Sequence, residues 1–134
     1  MIPEKIIYLA HPLSAPDRSG IYANLVKATT WFRYFLLQHN VSVVADWILI
    51  SSFLDDNDPE HRAIGMNSNK AILPLCDEVW LCGGRFSNGM KEEAALAFEY
   101  NIPVRSFLHL RETSPETFME GFLCTWKAGE IFVA

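Results

Sequence analysis

The chain predicts a three-layer α/β domain built on a parallel sheet. Three observations carry this: short, nearly all-apolar runs, amphipathic segments between them, and loop formers at the junctions. An unbroken apolar run reads as a strand buried on both faces. Strands that alternate with helices return in parallel through right-handed crossovers. At 134 residues, half of them hydrophobic, the chain can bury a core of its own without disulfides or a metal, and disorder is excluded.

The elements follow in order. Lys5–Ala10 (KIIYLA) is the first strand, and His11–Gly20 (HPLSAPDRSG) is a loop. Ile21, Leu25, Ala28, Phe32 and Phe35 then share one helical face, and that helix ends near His39–Asn40. Trp31 and Tyr34 widen the stripe and point to a second buried surface, such as a subunit contact. Val41–Ala45 (VSVVA) is the second strand. Trp47–Phe53 fits either an extension of that strand or an ordered loop. Asp58 followed by Pro59 is a helix start, a carboxylate cap and then proline at the first helical position; this helix runs to about Leu75. Glu78–Cys82 is the third strand, Gly83–Gly89 a glycine-containing loop, Met90–Tyr100 a helix and Pro103–Phe107 the fourth strand. A short helix, Pro115–Leu123 with Ser114 as cap, and a strand or docking arm, Glu130–Ala134, complete a single domain over 1–134. The order is that of a Rossmann-like, flavodoxin-like sandwich with four or five parallel strands.

Composition narrows the partners. The net charge is −5 and the pI about 5.3, with no basic stripe, which argues against nucleic acid. No signal-peptide pattern or membrane-length apolar stretch is present, so a cytoplasmic protein without a membrane partner is expected. Cys76, Cys82 and Cys124 lack metal-ligand spacing and read as buried thiols in a reducing compartment. Asp55, Asp56, Asp58 and His61 lack the glycine and spacing of a calcium loop. Helix capping and solvated charge explain them, with Asp55 or Asp56 left to border a pocket. No metal and no cofactor are expected.

Ligands of open parallel sheets sit outside the carboxyl ends of the strands. One loop there brings His11 and Ser14, with Arg18 beyond them. The other brings Gly83, Gly84, Ser87 and Gly89, then Met90 and Glu93 on the helix it feeds. The glycines let a ligand approach the backbone, and the helix start offers unpaired N–H groups to an anion. Glu93 lies one turn inside, too far to cap the helix but able to face a ligand at its end. Cys82 ends the strand beside this loop and reads as core.

Several phrases carry a family resemblance: Cys76-Asp77-Glu78-Val79-Trp80-Leu81-Cys82-Gly83-Gly84, Ser87-Asn88-Gly89-Met90-Lys91-Glu92-Glu93 with Ala97, Tyr8 on the first strand, Asn24-Leu25-Val26-Lys27-Ala28, and Phe53-Leu54-Asp55-Asp56-Asn57-Asp58-Pro59-Glu60. Over about Ile6 to Phe107 the chain resembles the nucleoside 2-deoxyribosyltransferase-like superfamily, most of all its bacterial and phage branch. The resemblance implies an enzyme that cleaves or transfers at the N-glycosidic bond of a deoxynucleoside or its 5′-monophosphate. Glu93 would be the nucleophile that forms a glycosyl-enzyme, and Tyr8 would orient it. Ser87 stands where the family's transferases have aspartate and is similar to the monophosphate-hydrolysing branch, in which serine helps bind phosphate; Arg18 could pair with the same phosphate. Asn69 stands where the family has an aspartate, and an amide cannot deliver a proton to a leaving base. Asp46, Asp55 or Asp56 could substitute. The expected partner is thus a small nucleoside or nucleotide, held by a homodimer or larger homo-oligomer. A second reading keeps the pocket and drops the chemistry, as a sensor or sequestering protein for a nucleotide-derived signal.

Overall fold

The computed structural model describes residues 1–110 and the backbone of 131–133. Five parallel strands form one sheet: β1 Ile6–Ala10, β2 Ser42–Val44, β3 Glu78–Leu81, β4 Val104–Ser106 and β5 Ile131–Val133, in the order β2-β1-β3-β4-β5. The helices are α1 Arg18–Gln38, α2 Asp46–Phe53, α3 Pro59–Ile72, continued by a 3-10 turn at Leu73–Leu75, and α4 Asn88–Glu99. Among the described residues no helix is long and apolar enough to cross a membrane.

The central strands are buried on both faces, as their unbroken apolar runs require: Ile7–Ala10 and Glu78–Leu81 are all buried. Leu9 lies beside Trp80 in the register, and Trp80 packs under α1 with its ring 4.9 Å from that of Phe35. Alternation along the strands sends Tyr8 and its neighbour Val79 to the opposite face, where Tyr8 meets Glu93 of α4. One face of the sheet is therefore an aromatic core and the other is the floor of the site.

Three expectations are corrected. The first helix begins at Arg18 rather than Ile21, because the Asp17 carboxylate accepts the Gly20 N–H at 2.8 Å and caps it. Trp47–Phe53 is neither strand nor loop but α2, anchored where the Trp47 indole N–H donates to the Leu9 carbonyl at 2.9 Å. Trp31 and Tyr34 are no subunit surface: 1 % and 4 % exposed, they pack within the molecule, Trp31 edge-on to Tyr34 and 6.4 Å from Phe107. The start of α3 is as expected, with Asp58 accepting from the N–H groups of Glu60 and His61 and Pro59 at the first position. Cys76 and Cys82 are buried free thiols. Of the C-terminal alternatives, residues 131–133 form a strand beside β4; the helix expected at 115–123, with Ser114 and Cys124, lies outside the described residues.

Phe35 is fully buried, and its ring centroid lies within 6 Å of those of Trp31, Tyr34, His39, Trp80 and Phe107. Phe35→Ala should therefore cost about 3–5 kcal/mol, read as a lower urea midpoint at unchanged slope.

Candidate functional site

The chain leaves β1 for β2 on one side and returns to β3 on the other. The loops after β1 and β3 diverge at this switch, which is where open α/β sheets bind ligands. A cavity of about 240 Å³ opens there. Two helices present faces to it at the i, i+3, i+4, i+7 spacing. From α2 and its end come Trp47, Ile50, Ser51 and Leu54; from α3 come Arg62, Gly65, Met66 and Asn69. His11, Leu13 and Ser14 enter from the loop after β1, and Arg85, Ser87, Asn88, Gly89, Met90 and Glu93 from the loop after β3 and α4.

Glu93 is half-buried, and the part left open faces the cavity. Burial raises its carboxyl to a pKa of about 7, the Tyr8 hydroxyl draws it back down, and Glu92 pushes it up. Tyr8 itself is 1 % exposed, and its pKa is raised by burial first and by Glu93 next. Among the described residues no hydrogen bond of ordinary length and angle reaches its oxygen. Tyr8 and Glu93 are thus close polar neighbours, the hydroxyl buried and the carboxyl at the cavity wall.

The rim is cationic. Ser87 caps α4, its Oγ accepting the Met90 N–H at 3.3 Å and its carbonyl the Lys91 N–H at 2.9 Å. The N–H groups of Asn88 and Gly89 are left without a protein acceptor among the described residues, and they sit at the positive end of the helix dipole. A Cβ on Gly89 would lie 3.9 Å from Nη2 of Arg62, so that guanidinium borders the same helix end. Arg62 is held from behind: Nη1 donates to Ser14 Oγ at 2.7 Å and to both Asp56 oxygens at 2.9 and 2.8 Å. Ser14 Oγ in turn donates to Asp56 at 2.9 Å, and Arg85 Nη2 reaches the Ser14 carbonyl at 3.4 Å. This clasp joins three loops across the mouth of the cavity.

Two histidines line the walls with defined orientations. His11 Nδ1 lies 2.7 Å from the Pro12 carbonyl, which can only accept, so Nδ1 carries a proton. Its other edge lies against Gly83, where a Cβ would come within 2.6 Å of His11 Cδ2 and of Pro12 Cδ. With φ +102°, Gly83 is required by both the turn and the contact. His61 Nδ1 accepts the Asp55 N–H at 3.0 Å, which places its ring proton on Nε2.

Of the residues singled out from sequence, His11, Ser14, Asn69, Ser87, Gly89, Met90 and Glu93 meet at this cavity, with Tyr8 beneath it. Arg18 does not. It is exposed at the start of α1 and borders a separate groove between α1 and α2. Asp46 opens α2 and is exposed, and Gly83 and Gly84 shape the turn through positive φ rather than lining the cavity. Asp56, allowed for as a border residue, pairs with Arg62. Arg62, Arg85, His61 and Trp47 were not anticipated. For Arg62 and Trp47 the signal was the helical spacing of residues 62, 65, 66 and 69 and of 47, 50, 51 and 54; Arg85 and His61 carried none. Among the described residues no group of three His, Cys, Asp or Glu side chains could hold a metal.

Glu93 ties stability to pH. Its pKa is about 7 when folded and 4.5 by the ordinary value, so the folded state binds the extra proton and stability falls as pH rises between those limits. Glu93→Gln should be more stable than the parent by up to about 3 kcal/mol above pH 7, with the gain vanishing below pH 4.5, in urea titrations across that range.

Residues 5–107 match the family model described as Domain of unknown function (DUF7768). Comparison with curated proteins returned no match. Since the matched segment spans most of the chain and contains every residue of the cavity, the protein belongs to the DUF7768 family.

Proposed function

We propose that the cavity binds a nucleoside 5′-monophosphate and that the protein cleaves or transfers at its N-glycosidic bond, as the resemblance to the nucleoside 2-deoxyribosyltransferase-like superfamily implies. The observation that carries this reading is the Glu93–Tyr8 pair: a cavity-facing carboxyl with a raised pKa, set beside a buried hydroxyl. Its two-sided environment also fits, with an anion-binding rim at Arg62 and α4 and an apolar wall of Trp47, Ile50, Leu54, Met66 and Met90 that suits a flat base.

In this reading the Glu93 carboxylate attacks C1′ and the C1′–N bond breaks toward the base. Water or a second base then takes the sugar and frees Glu93. Tyr8 holds the attacking oxygen. Ser87 serves chiefly as the helix cap, and its hydroxyl hydrogen remains able to meet a phosphate. Arg62 takes the cationic part expected of Arg18. Self-association belongs to the same proposal; the exposed side chains of Tyr22 and Val26 on α1 and of Leu49 and Phe53 on α2 are the apolar surface it would use.

A second reading, binding without turnover, is favoured by Asn69, a buried amide that cannot serve as an acid. Chromatography of free base after incubation with deoxynucleosides and their 5′-monophosphates separates the two. Release that disappears in Glu93→Gln, and that rises with pH through about 7 as the nucleophile ionises, supports the enzyme. Thermal stabilisation by nucleotides with no release supports the binding protein.

A further inference from the structure

Asn69 is 8 % exposed and lines the cavity, and its side-chain amide is not among the buried unpaired polar atoms. Its amide atoms therefore face the cavity's solvent, where a ligand's polar edge can replace water. The amide offers one acceptor and two donors side by side, which match another carboxamide, or the edge of a base, in paired hydrogen bonds.

Among the described residues the cavity offers no uncommitted acid. Two carboxyl groups of those residues line it. Glu93 is the nucleophile of the proposed reaction, and Asp56 is engaged by Arg62 and Ser14. His11 gives its Nδ1 proton to the Pro12 carbonyl and is covered along its other edge by Gly83; His61 uses Nδ1 to accept from Asp55. A purine or pyrimidine must be protonated to leave as a neutral molecule. A ring whose glycosidic nitrogen is already cationic needs no proton, and its charge would be drawn to the enclosed Glu93 carboxylate.

We propose that the preferred ligand is a carboxamide-bearing pyridinium mononucleotide, with its carboxamide on Asn69 and its 5′-phosphate on Arg62 and the α4 N–H groups. This rests on the N-glycosidase reading and narrows it. Glu93 Oε bonds to C1′ as the C1′–N bond breaks, and the electron pair of that bond goes to the ring nitrogen, so the pyridine leaves neutral. Water then hydrolyses the glycosyl ester to ribose 5-phosphate, restores the carboxylate and releases one proton to solvent. At about 240 Å³ the cavity lies below the roughly 300–1,000 Å³ of drug-sized sites, which favours a mononucleotide over a dinucleotide.

The test uses the full chain with nicotinamide mononucleotide, its reduced form, nicotinic acid mononucleotide and dAMP, following the released ring by chromatography. The expected kcat/KM for nicotinamide mononucleotide is at least 100-fold above that for dAMP, with none measurable for the reduced form, whose ring is neutral. Asn69→Ala should raise KM for the carboxamide at least 10-fold and abolish its preference over the carboxylate, with kcat changed less. The comparison of oxidised and reduced forms needs no variant, so it stands whether or not Asn69→Ala folds. Release from dAMP as fast as from the pyridinium overturns this inference and leaves the N-glycosidase reading intact. Release from none of the four, at any concentration that shifts the melting temperature, overturns both.

Discussion

A carboxyl group taken out of water loses hydration worth several kcal/mol unless something replaces it. Around Glu93 the replacement is incomplete. Tyr8 supplies one buried hydroxyl, and the rest of the surroundings push the group toward its neutral form. This tension needs every layer of the fold. Tyr8 is aimed at α4 because β1 is pleated and buried on both faces. The helix α4 is held by the Ser87 cap, and the turn that feeds it closes only because Gly83 admits the His11 ring. Loss of the Ser87 cap or of the Gly83 turn would open the carboxyl further to water and bring its pKa down toward the ordinary value.

The cavity above this pair has two chemically distinct ends. At the mouth, Asp56 and Ser14 hold Arg62 in place, so its guanidinium is ordered before a ligand arrives and less entropy is lost on binding. Trp47, Ile50 and Met66 give the cavity an apolar wall, alongside the amide of Asn69. A molecule that carries an anion at one end and a flat ring with a polar edge at the other is complementary to both. An all-anionic or an all-apolar ligand satisfies only half of the site. The same clasp bridges the loops after β1, α2 and β3, so ligand binding and loop order are coupled through Arg62.

Much of the fold was legible because β1, β3 and α3 follow local rules: unbroken apolar runs for strands buried on both sides, and the Asp58-Pro59 start of a helix. The errors also have local causes. Gly20 reads as a loop former, yet it sits in the first turn of α1, where the Asp17 cap uses its N–H. The apolar run of α2 hides its helical period, because a short run of apolar residues gives strand and helix the same signal. At the site, the helix end and its glycines follow from physics, whereas the role of Glu93 came from resemblance. Arg62 was overlooked because Ser14, which it binds, and Gly89, which it borders, are distant in sequence and meet it only through the crossovers. The need for glycine at position 83 is likewise a long-range matter, set by the His11 ring from the loop after β1.

Glu93 and Tyr8 share a largely desolvated setting at the cavity wall. Carbon-13 NMR titration of the side-chain carboxyls, with Glu93 assigned by its loss in Glu93→Gln, measures this directly. The midpoint should lie at about 7 and move upward in Tyr8→Phe, because the hydroxyl that lowers it is gone. A midpoint at the ordinary value of 4.5, unmoved by Tyr8→Phe, would contradict it.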